Sequence, residues 1–126
     1  MKLFLVGCTG FIGASLIPRL IEKGYKLVVL SRKPQIAQNL KKYSQSINYL
    51  NLDPTKNESW KNNKLLDELE SCQGIINLAG EPIAEKRWTE DQKKLIYESR
   101  INTTKFLIQS LAQLKTKPKC LINASA

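Results

Sequence analysis

Histidine is absent from the 126 residues, and cysteine is scarce. Without an imidazole, Ser-His-Asp and Cys-His catalytic arrangements and the histidine-containing zinc sites are excluded within this sequence. The three cysteines, Cys8, Cys72 and Cys120, are odd in number and widely spaced. They therefore predict free thiols in a reducing cytoplasm and not a disulfide framework. No cluster of metal ligands is predicted.

Long apolar runs are also lacking. No stretch approaches the roughly 20 apolar residues of a transmembrane helix. The apolar run before Cys8 has about five residues, whereas a secretory signal needs roughly 7 to 15. We therefore expect a cytoplasmic protein with no membrane partner.

Acidic residues are outnumbered, since 11 Asp and Glu face 20 Lys and Arg and the formal net charge is +9. Hydrophobic residues make up 42% of the sequence, and a chain of this length can bury roughly two-thirds of its unfolded surface. One domain over residues 1–126 is therefore predicted. A basic chain permits nucleic-acid binding, but no aromatic platform or recognised nucleic-acid motif accompanies the charge, so we expect no nucleic-acid partner.

Apolar strands alternate with amphipathic helices along the chain. Lys2–Val6 is a continuous apolar run, and after it the apolar residues recur at helical spacing from Phe11 to Lys23, with Gly24 placed as a helix C-terminal glycine. Further strands are predicted at 26–30, 47–52, 74–80 and 119–123. Further helices are predicted at 34–43, at 64–70, and from a capping box at Thr89 to just before Pro118, whereas 53–60 is predicted to be a polar loop.

This alternation predicts an α/β fold of the Rossmann type. We expect a doubly wound parallel sheet of about five strands with helices on both faces. Such a domain normally continues past its fifth strand, so we expect the chain to be the front part of a longer protein.

Three glycines lie between the first strand and the first helix, in Gly7-Cys8-Thr9-Gly10-Phe11-Ile12-Gly13. Glycine permits the tight turn and lets backbone N–H groups approach a pyrophosphate, while the helix N-terminus adds partial positive charge. The strand-turn-helix context favours a dinucleotide site. The alternative is a turn with a structural role only. The predicted cofactor-binding residues here are Gly7, Thr9, Gly10, Phe11, Ile12 and Gly13.

The end of the second strand predicts which dinucleotide binds. A fold that selects the plain 2′-hydroxyl usually carries Asp or Glu there, whereas this chain has Ser31-Arg32-Lys33. A hydroxyl and two cations suit a 2′-phosphate, so Ser31 and Arg32 favour NADP, with NAD still allowed. Residues 14–52 hold seven Lys and Arg against one acidic residue, which concentrates positive charge nearby. The alternative is that Arg32 and Lys33 are solvated loop charges.

Leu78, Ala79 and Gly80 follow the fourth strand, where their backbone would line a cofactor groove at the carboxyl edge of the sheet. An ordinary strand-to-loop turn is the alternative. Four charged residues nearby face either a substrate or one another in a surface network: Glu81, Glu85, Arg87 and Arg100.

Together these residues resemble the extended, atypical short-chain dehydrogenases/reductases, in particular the NAD(P)-dependent epimerase/dehydratase family, also described as cell-division-inhibitor-like. The matching residues in the middle of the chain are the specific part of this resemblance, because the glycine turn alone would fit any extended reductase. The resemblance runs in order along the whole chain through the glycine turn, Ser31-Arg32, Asp53-Pro54, Asn77-Leu78-Ala79-Gly80-Glu81-Pro82-Ile83, Arg87-Trp88-Thr89, Ser99-Arg100, Thr103-Thr104 and Ala124-Ser125-Ala126.

The resemblance implies a Rossmann domain that binds NADP or NAD, followed in family members by further strands and a smaller substrate domain. It implies cofactor contacts at the glycine turn, Arg32 and residues 78–80, and an adenine contact at Asp53. It also implies a catalytic Ser or Thr after the fifth strand. Ser125 is the nearest hydroxyl, although spacing puts Ala126 at the expected position, and the Tyr-x-x-x-Lys partner sequence does not occur within the 126 residues.

The leading hypothesis is therefore the NADP-binding part of an epimerase/dehydratase-like oxidoreductase. Its full-length form would act on a nucleotide-sugar-like or other small carbonyl or hydroxyl substrate, with a homo-oligomer allowed. A non-catalytic dinucleotide sensor or interaction module of the same fold is the alternative. A methyltransferase is disfavoured because no acidic ribose ligand follows the second strand, and a P-loop NTPase because no Gly-Lys-Ser/Thr ends the glycine turn.

Overall fold

The computed structural model describes residues 1–80 and 87–124. These residues form one parallel sheet with the strand order β3-β2-β1-β4-β5. The strands are β1 Lys2–Val6, β2 Lys26–Ser31, β3 Ile47–Asn51, β4 Gly74–Asn77 and β5 Cys120–Asn123. The helices are α1 Phe11–Glu22, α2 Asn63–Ser71 and α3 Glu90–Gln113, and 3₁₀-helices span Gln38–Ser46 and Asn57–Lys61. The predicted Rossmann-type fold with five parallel strands is confirmed.

Two apolar clusters cover the two faces of the sheet. The central strand β1 contributes to both, because Phe4 and Val6 point to one face and Leu5 to the other. Leu107 of α3 belongs to the first cluster and Ile17 of α1 to the second. With helices on both faces, the central strands are buried on both sides, which is why they appear in the sequence as continuous apolar runs.

Two predicted elements are wrong. The helix expected at 34–43 is instead the 3₁₀-helix Gln38–Ser46. Leu40 and Tyr43, three residues apart, face the core, whereas the polar Ser44 stands four residues after Leu40; this spacing suits three residues per turn. The loop expected at 53–60 contains the second 3₁₀-helix, because Trp60 is buried and its indole N–H donates to the Pro54 carbonyl oxygen at 2.9 Å.

The helix ends follow the sequence signals in part. Gly24 adopts φ +92° after α1, as expected of a C-terminal glycine. Thr89 Oγ1 accepts from the Gln92 N–H at 3.2 Å, which forms the first half of the capping box. The second half is not formed, because the Thr89 N–H donates to the Arg87 carbonyl oxygen at 3.0 Å. Among the helices that the structure describes, none has the length and apolar composition needed to cross a bilayer.

Candidate functional site

A groove of about 410 Å³ lies at the carboxyl ends of β1, β2 and β4. The chain leaves β1 toward β2 on one side and later crosses to β4 on the other. Open α/β sheets bind ligands at such a switch in strand order. The groove brings together many of the residues singled out from the sequence: Gly7, Thr9, Gly10, Ser31, Arg32, Asp53, Ala79 and Gly80.

Some of the sequence-predicted residues stand outside the lining. Phe11 and Ile12 begin α1 and are 93% and 62% exposed. Leu78 packs against the apolar cluster on the α1 side of the sheet. Gly13 is buried beneath the turn. Ser125, the candidate catalytic hydroxyl, lies outside the described residues.

Gly7 and Gly13 are needed for close backbone packing. Gly7 has φ +72°, and a Cβ built on it would overlap the Cα of Ala79. A Cβ on Gly13 would overlap the carbonyl oxygen of Cys8. The first glycine thus brings the turns after β1 and β4 together, and the third seats α1 against its own turn.

Gly10 differs from these two glycines because, apart from its two chain neighbours, no heavy atom of the described residues lies within 4 Å of a Cβ built there. It is the N-cap of α1 and has no side chain that could accept from the first turn, and no acidic residue stands in that turn. The first N–H groups of a helix have no intrahelical acceptor, and they carry the positive end of its dipole. Gly10 therefore leaves space beside backbone N–H groups of a kind that can bind an anion.

Cys8 lies inside the glycine turn without being a nucleophile. Its side chain is buried, and its thiol is 3.7 Å from the Val6 carbonyl oxygen. Burial raises the pKa of the Cys8 thiol to about 12, so the thiol stays protonated at neutral pH. Since only the thiolate attacks or binds metal readily, Cys8 acts here as a packing residue.

The segment that carries Arg32 is braced by β3. Tyr49 Oη donates to the Lys33 carbonyl oxygen at 2.8 Å. Asn51 Nδ2 donates to the carbonyl oxygens of Lys33 at 2.8 Å and Ser31 at 3.1 Å. Ser31 Oγ accepts from the Lys33 N–H at 3.1 Å. Sequence reasoning missed Tyr49 and Asn51, although their spacing of two on a strand puts them on one face.

Asp53 shapes the wall beside this segment. Its Oδ1 accepts from the backbone N–H of Thr55 at 2.9 Å and from the Thr55 hydroxyl at 2.7 Å. An Asp side chain that bonds the backbone two residues on forms an Asx turn. This turn fixes Pro54 and Thr55 along the groove. The family resemblance includes Pro54, whereas Thr55 was not singled out from the sequence.

The turn after β4 is fixed from behind by asparagines. Asn77 Oδ1 accepts from the Ala79 N–H at 3.1 Å, and Asn77 Nδ2 donates to Asn123 Oδ1 at 2.7 Å. A Cβ on Gly80 would come within 2.8 Å of the Arg100 guanidinium carbon. The backbone of residues 79–80 is thereby held toward the groove.

α3 supplies a wall that the sequence did not predict. Ser99 and Thr103, one helical turn apart, line the groove and are buried. Their neighbours Arg100, Ile101 and Thr104 line a second, larger groove of about 660 Å³ on the other side of α3. Trp88, which lines that second groove, is 55% exposed.

The described residues contain no candidate metal site. In residues 1–80 and 87–124, no group of three or more His, Cys, Asp or Glu side chains is placed to hold a metal ion.

The strand order and the groove at its switch point place the chain in the class of doubly wound, Rossmann-type domains. The sequence model of the NAD-dependent epimerase/dehydratase family matches residues 3–126. The chain belongs to this family.

Similar proteins agree with this assignment. An epimerase family protein of Staphylococcus haemolyticus is 32% identical over 127 residues, and that match covers 100% of this chain and 38% of the relative. The epimerase family protein YfhF of Bacillus subtilis is 33% identical, with the same coverages of 100% and 38%. The chain thus spans well under half the length of these relatives.

Solved structures share the fold. The human epimerase family protein SDR39U1 (isoform 2), solved with NADPH, has a TM-score of 0.67 and 27% identity, covering 98% of this chain and 36% of that one. MoeE5, solved with UDP-glucuronic acid and NAD, has a TM-score of 0.72 and 21% identity, covering 100% and 37%.

Proposed function

We propose that residues 1–126 form an NAD(P)-binding domain that prefers NADP, within an epimerase/dehydratase-like oxidoreductase. One observation carries the proposal. The open backbone at Gly10 and the Arg32 side chain line a single groove at the switch point of the sheet. NADP suits these two features together, because its pyrophosphate binds at a helix N-terminus and its 2′-phosphate lies near the end of β2.

The residues present fit such a cofactor. The space beside Gly10 admits a pyrophosphate against the uncapped N-terminus of α1. Asp53 and Ala79, on either side of the glycine turn, would border the adenosine. The bound nicotinamide would accept or donate hydride, while this chain's residues bind and orient it.

NADP is favoured by the charges at the end of β2. Arg32 and Lys33 line the groove there, and Ser31, the last residue of β2, is neutral. An Arg paired with a phosphate makes a charge-assisted contact, whereas a ribose hydroxyl gains little from it. The structure of the human relative with NADPH agrees with this preference, while MoeE5 was solved with NAD.

The whole protein would act on a nucleotide-sugar-like or other small carbonyl or hydroxyl substrate. Support comes from the family and from the UDP-glucuronic acid bound to MoeE5. Ser125 is proposed as the hydroxyl that assists catalysis. A cytoplasmic location and a homo-oligomer belong to the same proposal.

Titration of an Arg32→Ala variant with NADPH and NADH tests the cofactor assignment. A charge-assisted contact contributes about 1.5–3 kcal/mol, so NADPH affinity should fall at least tenfold while NADH affinity changes less than twofold. Lys41→Ala is the matched control, because Lys41 is an exposed cation outside the groove. It should leave both affinities unchanged.

The alternative results separate two claims. An equal loss for the two cofactors, or a parent chain that prefers NADH, contradicts NADP specificity. A parent chain that binds neither cofactor contradicts the dinucleotide site itself.

A further inference from the structure

Thr103 carries a buried hydroxyl that the protein itself does not satisfy. The residue is 0% exposed, and its Oγ1 has no hydrogen-bond partner among the described residues. A helical Thr commonly donates to the carbonyl oxygen three or four residues earlier. Ser99, one turn before, does so by donating to the Ile96 carbonyl oxygen at 3.0 Å. A buried hydroxyl without a partner loses its hydration and gains nothing in return.

The position of Thr103 indicates what its partner is. Thr103 lines the groove together with the two glycine-containing turns, where Gly7 and Gly80 stand. The same lining includes Arg32 and Asp53, whereas Asn123 and Ala124, at the carboxyl end of β5, line the other groove. Thr103 therefore borders the part of the groove proposed for the adenosine and pyrophosphate.

We propose that Thr103 Oγ1 hydrogen-bonds a polar atom in the adenosine-pyrophosphate half of the bound dinucleotide, directly or through one water. This inference rests on the proposed function and adds a positioning residue from α3 to it. It explains why a hydroxyl stands in a place where a methyl group would fill the same volume without a desolvation cost.

Thr103→Val tests the proposal, because it removes the hydroxyl and keeps the branched shape. The stability of the unliganded chain and its affinity for the ligands should change in opposite directions. The melting temperature of the 126-residue chain without ligand should rise by about 2–5 °C, since the orphan hydroxyl is gone. The Kd values for 2′-phospho-ADP-ribose and for NADPH, measured by calorimetry, should both rise by about threefold to tenfold.

Two controls accompany this variant. Thr103→Ser restores a hydroxyl and should bind both ligands within twofold of the parent. Thr104→Val makes the same chemical change on the neighbouring residue, which lines the other groove. It should leave both Kd values unchanged.

Three results would overturn the proposal. A Val variant that binds both ligands like the parent shows that the hydroxyl does not contact the dinucleotide. A Val variant with a lower unliganded melting temperature and unchanged Kd values assigns the hydroxyl a structural role instead. A parent chain that binds neither ligand removes the proposed function along with this inference, whereas the first two results leave that function standing.

Discussion

At the amino ends of β1 and β4, polar groups pair within the chain, whereas at the carboxyl ends several face a groove. The Lys2 ammonium lies 2.9 Å from Glu68 Oε2 and donates to Ser71 Oγ at 2.9 Å, and the Lys2 N–H donates to Gln73 Oε1 at 2.7 Å. At the other end, the α1 N-terminus lacks a side-chain cap, and Thr103 Oγ1 lacks a partner among the described residues.

The difference between the two ends of the strands indicates where a substitution can change stability without changing binding, and the reverse. Groups that are paired inside the chain contribute to the free energy of unfolding, and they have no free donor or acceptor with which to bind a ligand. Groups left unpaired reduce stability, and they recover that cost only when a ligand binds the folded state. Substitutions at the amino ends should therefore change stability alone, and those lining the groove should change binding more than stability.

The largest expected effect comes from valine at two glycines of the same turn. Gly13→Val should destabilise the fold severely, because its Cβ would overlap the Cys8 carbonyl oxygen, which is backbone and cannot move aside cheaply. Overpacking of this kind costs about 1–3 kcal/mol, and more when backbone must shift. Denaturant unfolding followed by circular dichroism measures the loss.

Gly10→Val is the matched control that makes the comparison sharp. A Cβ there meets no atom of the described chain, and the backbone already has an ordinary φ of −90°. Stability should change by only about 1 kcal/mol or less through the poorer N-cap, while NADPH binding should weaken at least tenfold, or about 1.4 kcal/mol. NADPH affinity equal to that of the parent would show that the groove is not the site.

The glycine turn was predictable from sequence because it is local. Gly7 to Gly13 lie in one short segment that runs from the end of β1 into the first turn of α1, so spacing alone indicates the backbone geometry. Arg32 was equally accessible, since it follows β2 directly. In both cases the function depends on where a strand ends, which apolar runs reveal.

The α3 wall and the β3 brace were not predictable in this way. Ser99 and Thr103 reach the groove only because α3 packs against the face of the sheet that carries Phe4, and this placement depends on residues far apart along the chain. Tyr49 acts through a carbonyl oxygen 16 residues away. The core-facing side chains of the Gln38–Ser46 segment, Leu40 and Tyr43, are three residues apart, which suits a 3₁₀-helix, and helix propensity does not capture which side chains reach the core.

A smaller effect on binding is expected from removing the hydroxyl of Tyr49, which holds the segment after β2. Tyr49→Phe deletes the donor to the Lys33 carbonyl oxygen at 2.8 Å and loosens the segment that carries Arg32. NADPH affinity should fall about twofold to fivefold, since a neutral hydrogen bond contributes about 0.5–1 kcal/mol. NADH affinity should stay within error, because Arg32 is proposed to contact the 2′-phosphate, which NADH lacks.

Tyr25→Phe is the control, because Tyr25 immediately precedes β2 at its amino end and packs in the apolar cluster beside α1. Isothermal titration of both variants with both cofactors makes the measurement. An equal loss of NADPH affinity in the two variants would contradict the expected difference between the two ends of the strands.

The smallest expected effect is the pH dependence of stability at the amino end. Burial alone would raise the pKa of Glu68, but hydrogen bonds from Lys2 and Asn48 and the charges of Lys2 and Lys64 outweigh it and lower the pKa below its usual value. Because the folded-state pKa lies below the unfolded one, the stabilisation is fully present above the unfolded pKa of about 4.3. It is lost as the pH falls through the folded-state pKa.

Glu68→Gln should therefore lower the free energy of unfolding by about 0.5–1 kcal/mol at pH 7, with a difference from the parent that shrinks as the pH falls below about 4. Urea unfolding at pH 7, 5 and 3 measures this trend. Glu98→Gln is the control, because Glu98 pairs with Lys94 at 3.8 Å on the exposed surface within α3, where solvent screens the pair and little change is expected. NADPH affinity at pH 7 should be the same for Glu68→Gln and the parent. A destabilisation that is constant from pH 7 to pH 3 would assign it to lost packing and not to charge, and a weaker NADPH affinity would show that the two ends of the sheet are coupled.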